Sequence, residues 1–150
     1  MPIAALVLLG ALAVAFGLNL ATATRRSVDA YTAYDRLELS LEGFTFTAAN
    51  EPVIVAIRVG NPTDAPLVIE SLDLRLAAGV HTVGGGVLRE EHLLPGREST
   101  VLTITAAIDD ETYIEQLGDV EIEWILQGRI LIHLEHGEPT WIPFGTRYIG

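Results

Sequence analysis

In successive runs between residue 36 and residue 134, apolar side chains return at every second position, and a period of two selects strands over helices for most of this part of the chain. "RLELSLE" sets Leu37, Leu39 and Leu41 on one face and Glu38, Ser40 and Glu42 on the other. After Gly43, Phe44 and Phe46 resume in the opposite phase, the signature of a β-bulge. "PVIVAIRV" directs Val53, Val55, Ile57 and Val59 inward, and Leu72, Leu74 and Leu76 alternate with Asp73 and Arg75. Leu102, Ile104, Ala106 and Ile108 share a face. In "VEIEWILQGRILIHLEH", Val120, Ile122, Trp124 and Leu126 alternate with Glu121 and Glu123, and Gly128 allows a bend or bulge before Ile130, Ile132 and Leu134.

Turn signals separate these runs: Asn61-Pro62, Asp64-Ala65-Pro66, Gly84-Gly85-Gly86, Pro95-Gly96 and His136-Gly137. Pro62 removes an N–H that a ladder needs and biases Asn61 toward an extended backbone, while Asn61 can hydrogen-bond its own main chain and open a turn. That pair reads as a corner between strands. One short helix is expected over 109–117, "DDETYIEQL", with acids at its start and Gly118 at its end. Six to eight strands and one short helix describe an all-β domain over 36–150, an antiparallel β-sandwich burying its alternating apolar faces.

The opening of the chain obeys another rule. Residues 3–24, "IAALVLLGALAVAFGLNLATAT", are polar only at Asn19, Thr22 and Thr24. As a helix they would extend roughly 33 Å, enough for a hydrocarbon core of about 30 Å. Ala21-Thr22-Ala23 also fits a signal-peptidase pattern, but the apolar run is long and no basic residue precedes it, so residues 1–24 are read as a retained single-pass transmembrane anchor. Residues 25–35 are a linker or an extension of that helix. Ala13, Gly17 and Ala21 recur every four residues and form a small-residue stripe suited to close packing against another helix. Arg25, Arg26 and Arg36 all follow the span, which places the domain on the cytoplasmic side by the positive-inside rule.

The charge lies beyond the anchor. The chain of 150 residues carries 20 acids and 9 bases, all in the 126 residues after position 24, for a net charge of −11. Such a surface repels phosphate backbones, so nucleic acid is not an expected partner. All nine bases are Arg, and an acidic, Lys-free surface suits concentrated salt, although a high-GC genome that favours Arg codons would also remove Lys. The absence of Cys excludes disulfides and thiolate metal sites.

The order of these elements resembles a known family. A strand ending at Asn61-Pro62, then "APLVIESLDLRL", the Gly-rich "AGVHTVGGGVL", "LLPGRESTVLTITAAI" and "VEIEWILQGRILIHL" are similar to the group-2 late-embryogenesis-abundant proteins and their water stress and hypersensitive response (WHy) domain. Asn61 and Pro62 match the family's Asn-Pro pair, and Leu94, Pro95 and Gly96 match its Leu-Pro-Gly. The resemblance spans about residues 36–149. It implies a sandwich related to fibronectin type III domains, without catalysis, linked to desiccation or osmotic stress and often carried behind a transmembrane segment.

Individual sites add little chemistry. His133, Glu135, His136 and Glu138 form "HLEHGE", which lacks the helical spacing of a zinc-binding H-E-x-x-H and reads as a solvated strand end. "DDETYIE" and "REE" lack the alternating ligands of a calcium loop, and "VGGGV" lacks the Lys-Ser/Thr of a phosphate loop and reads as a hairpin tip. No catalytic residue, metal or cofactor is expected. Trp141, Phe144 and Tyr148 are candidates for an aromatic partner-binding edge, against the alternative that they pack into the sandwich. Two functions remain: a non-enzymatic, membrane-anchored stress-associated domain acting through its surface, or an accessory subunit of a membrane protein assembly. An outward-facing adhesion module is a weaker third.

Overall fold

The computed structural model describes residues 32–118, 120–135 and 137–150, together with Thr22, Thr24 and Val28. The expected anchor, with Ala13, Gly17 and Ala21, therefore lies outside the described residues, apart from Thr22 and Thr24. No helix among the described residues is long and apolar enough to cross a membrane.

Among the described residues from Glu38 onward, eight strands and one short helix follow in the order β1 (Glu38–Thr45), β2 (Val53–Gly60), β3 (Leu67–Ala78), β4 (His81–Leu88), β5 (His92–Leu94), β6 (Ser99–Ile108), α1 (Glu111–Leu117), β7 (Glu123–Leu134) and β8 (Thr140–Ile149). All pair antiparallel. The expected inward sets are the core: Val53, Val55, Ile57, Val59, Leu72, Leu74, Leu76, Leu102, Ile104, Ala106 and Ile108 are buried. The bulge expected at Gly43 is present, where the β1–β2 register shifts between Leu41 and Gly43. The short helix also forms as read: the Asp110 carboxylate accepts from the Tyr113 N–H, and Gly118 at φ 58 ends it.

Two separate sheets were the expectation; the strands instead follow one path, β1-β2-β6-β4-β3-β7-β8, with β5 added to β3. The join is β4 to β6, through Gly84↔Ile108 and Gly85↔Ala107. This corrects the reading of Gly84-Gly85-Gly86 as a hairpin tip. The turn is Gly79-Val80, and the glycines lie inside β4. A Cβ at Gly84 or Gly85 would collide with the carbonyl of Ala107 or Leu74, and one at Gly86 would lie 2.6 Å from the Thr105 carbonyl. Missing side chains let β4 press against β3 on one side and β6 on the other. The path curls until its ends meet, with the rings of Phe44 on β1 and Tyr148 on β8 at a centroid distance of 4.8 Å. The result is a nearly closed, barrel-like antiparallel sheet.

Inside it, Trp124 is fully buried and packs against Phe44 and Phe46, with centroids at 5.3 and 5.0 Å. Residues 32–36 are helical, and Ala33 joins the core while the Tyr34 hydroxyl donates to the Glu138 carbonyl at 3.3 Å. Two expectations for the last third change. Val120 is exposed because β7 begins only at Glu123. Gly128 makes no bend: β7 runs unbroken and keeps its inward phase, and the bulge is in the partner, between Ile69 and Ser71 of β3.

Candidate functional surface

Two places gather polar chemistry. The first is the corner where β2 ends. Among the described residues Asn61 is the one buried polar side chain. Its Nδ2 donates to the carbonyls of Ala65 at 2.8 Å and Pro95 at 3.2 Å, and its Oδ1 accepts from the Thr63 N–H at 3.1 Å and the Thr63 hydroxyl at 2.8 Å. Carbonyls on one side and donors on the other fix which way the amide points. The main chain completes the joint, Asn61 N–H to Glu98 O at 2.9 Å and Arg97 N–H to Thr63 O at 2.8 Å. Arg97, at a positive φ of 61°, ion-pairs with Asp64 across the same joint, which holds the Asp64 carboxyl below the usual range. Every donor and acceptor of Asn61 is satisfied by backbone or by Thr63, so this corner stores structure. It has no reacting group.

The second is the outer face of β3, β7 and β8. Asp73 and Arg75 of β3 stand opposite Arg129 and Gln127 of β7, which in turn face Pro143 and Gly145 of β8. Arg129 reaches Asp73 Oδ2 through Nε and Nη2, each at 2.9 Å, and its guanidinium carbon lies 4.2 Å from the Trp141 ring centroid. Asp73, Arg75, Gln127, Gly128, Arg129 and Pro143 line a shallow cleft of about 360 Å³.

The aromatic candidates divide between faces. Phe144 points inward over Gly128, its strand partner, where a Cβ would collide with the ring; that close approach is why position 128 is glycine. Tyr148 also faces inward and closes onto Phe44. Trp141 faces out, 39% exposed, on the opposite side of β8. The three therefore make no continuous edge, because odd and even positions of one strand point apart. Trp141 is the member on the outer face, while Tyr148, although it contacts Phe44, is also 37% exposed.

The "HLEHGE" residues likewise separate. His133 directs Nε2 to Glu70 at 3.3 Å and Nδ1 to the Leu134 carbonyl at 2.7 Å, and His136 lies outside the described residues. His81 opens β4, sits 2.9 Å from the Asp110 carboxylate and lies against Tyr113 with centroids at 4.2 Å. The hydrogen bond from His81, with that from the Tyr113 N–H, holds the Asp110 carboxyl below its ordinary value. This clamps the cap of α1 to the strand. The Asp73–Arg129–Trp141 grouping was missed in the sequence because its members sit 56 and 12 residues apart and meet only through strand register. Their outward phase was the one available signal.

The whole domain is similar in fold to solved proteins. The solution structure of a protein assigned to the late embryogenesis abundant (LEA) class superimposes with a TM-score of 0.59 at 14% identity, covering 89% of this chain and 85% of that one. A second solution structure, from Arabidopsis thaliana, gives 0.55 at 17% identity over 75% of this chain and 76% of that one. At these identities the likeness is one of fold. No protein-family model matches the chain, and no curated protein matches it in sequence.

Proposed function

We propose that this chain is a non-enzymatic β-domain of the LEA and WHy type, held at a membrane by residues 1–24 and acting in desiccation or osmotic stress through its surface. The observation that carries this reading is the extent of the fold likeness, which includes most of both chains. The joint at Asn61 supports it, because the Asn-Pro and Leu-Pro-Gly turns on which the family resemblance rests are hydrogen-bonded to one another here. The anchor is supported by the uninterrupted apolar run of residues 3–18 and the absence of charge through residue 24. Arginines after that run support a cytoplasmic domain.

Three measurements test the proposal. The chain should stay with membranes through an alkaline carbonate wash, and its domain should survive protease added to intact cells. Reconstituted in vesicles, it should preserve a drying-sensitive enzyme better than an equal mass of an unrelated anchored β-domain. Release by the wash would overturn the anchor, and no gain in protection would overturn the stress role. A second reading, an accessory subunit, is favoured by the Ala13, Gly17 and Ala21 stripe. It requires a stoichiometric partner in mild detergent that is lost on Gly17→Leu.

A further inference from the structure

The shallow outer-face cleft brings two guanidiniums, a carboxylate and an amide together. Two rows of outward residues cross the sheet in register: Gly85, Arg75, Gln127 and Gly145, then Val87, Asp73, Arg129 and Pro143. The first row reaches Gly145 on β8, where a Cβ would meet nothing closer than 3.7 Å, so no side chain covers Gln127 from that side. Arg129 is held from two directions, by Asp73 and by the Trp141 ring, and a guanidinium fixed in this way loses less freedom on binding. Both of its bonds go to Asp73 Oδ2. Among the described residues, Asp73 Oδ1 and Arg129 Nη1 make no hydrogen bond, the Arg75 guanidinium makes neither a hydrogen bond nor an ion pair, and all three residues line the cleft.

Charge and geometry then narrow the ligand. Arg75 and Arg129 against Asp73 leave one net positive charge, in a chain whose total is −11. One positive charge matches a single carboxylate, and a planar carboxylate fits the guanidinium fork in a bidentate manner. The Gln127 amide N–H can donate to the same carboxylate, and Asp73 Oδ1 adds an acceptor that ligand hydroxyl groups can engage. An extended peptide is disfavoured because β3 and β7 are both paired on two sides and offer no backbone edge for strand addition. The volume of about 360 Å³ lies at the small end of ligand pockets.

We propose that this cleft binds a sugar acid, its carboxylate on Arg75 and Gln127 and its hydroxyls on Asp73 and Arg129, with Trp141 as the residue that positions Arg129. This site goes beyond the stress-domain reading and does not depend on it.

The test is titration of the full chain in detergent micelles with D-glucuronate, D-glucose and acetate, followed by calorimetry. Glucuronate should bind about tenfold or more tightly than either comparator, because glucose lacks the carboxylate and acetate the hydroxyls. Arg75→Gln should weaken glucuronate binding by about tenfold or more, while Arg58→Gln on β2 leaves it unchanged. Trp141→Ala should weaken it and Trp141→Phe restore it, since either aromatic ring can hold the guanidinium. Absence of glucuronate binding, acetate binding as tight as glucuronate, or indifference to Arg75→Gln in a protein with an unchanged Tm would overturn the proposal.

Discussion

The Asn61 amide donates to the Pro95 carbonyl at 3.2 Å, so a side chain at the end of β2 holds the turn that leads into β6. The two strands are already paired along Val53–Gly60 and Ser99–Ala106. Asn61 extends that pairing past the last ladder bond, where Pro62 can no longer contribute an N–H.

Asn61→Ala should therefore cost about 1–3 kcal/mol, because it strips the partner from two part-buried carbonyls and the Thr63 donors. Asn61→Asp should cost more at neutral pH, since a carboxylate would face the carbonyls of Ala65 and Pro95. Part of that loss should return as acid protonates the new group and makes it a donor. Urea unfolding at two pH values measures both effects. A loss below about 0.5 kcal/mol for Asn61→Ala would show that the joint is incidental.

Gly128 and Gly79 offer a paired comparison. Gly128→Ala drives a methyl into the Phe144 ring and to 2.6 Å from the Asp73 carbonyl, and overpacking of this kind costs about 1–3 kcal/mol or more. Gly79, at φ +59 with open space around it, should lose only about 1 kcal/mol on the same change, through backbone strain alone. Phe144→Leu should recover part of the Gly128→Ala loss and none at Gly79. Equal losses at the two positions would mean that Gly128 is not a packing requirement.

Acid should weaken the domain through three exposed carboxyls. Glu42 beside Arg58, Asp64 beside Arg97 and Asp110 beside His81 are each held below their ordinary values, chiefly by the hydrogen bond from that partner. Depressed folded values mean that the unfolded chain takes up these protons first as pH falls. Their contribution is thus complete above about pH 4–5 and lost as pH falls through the lower folded values. Each contribution is small, because solvent screens exposed pairs. Asp110→Asn isolates one of them, since Asn still caps α1 without the charge. The Tm difference between the parent and this variant should narrow from about pH 6 to about pH 3. A difference that stays constant would dissociate the charge from stability.

Salt provides the last test. With 20 acids against 9 Arg, neighbouring carboxylates repel over a screening length of about 10 Å at 0.1 M salt and about 3 Å at 1 M. Among the described residues, four Arg–carboxylate pairs, at Arg58, Arg97, Arg129 and Arg147, offset only a minority of the acids. Residues 30–150 should melt higher in molar KCl than in 0.1 M KCl, and by more than in a neutral osmolyte of equal water activity. Lower pH should reduce that dependence. A Tm that ignores salt while the domain stays folded would leave codon bias as the account of the Lys-free composition.

Within each strand, local alternation was sufficient to determine which residues face the core, although it placed Val120 inward, just before β7 begins. Val53 through Val59 and Leu102 through Ile108 are buried at every second position because a pleated backbone points successive side chains apart, whatever the topology. The corner at Asn61, the bulge at Gly43 and the capped helix at Glu111–Leu117 were legible for the same reason: each depends on a few adjacent residues. Contacts between distant strands were not. That Gly84–Gly86 lie within a strand, that Gly128 makes room for Phe144, and that Arg129 stands between Asp73 and Trp141 all follow from register, which is set when separate segments pair and pack. A period of two tells each strand which side is inward; only the closed sheet decides which residues become neighbours.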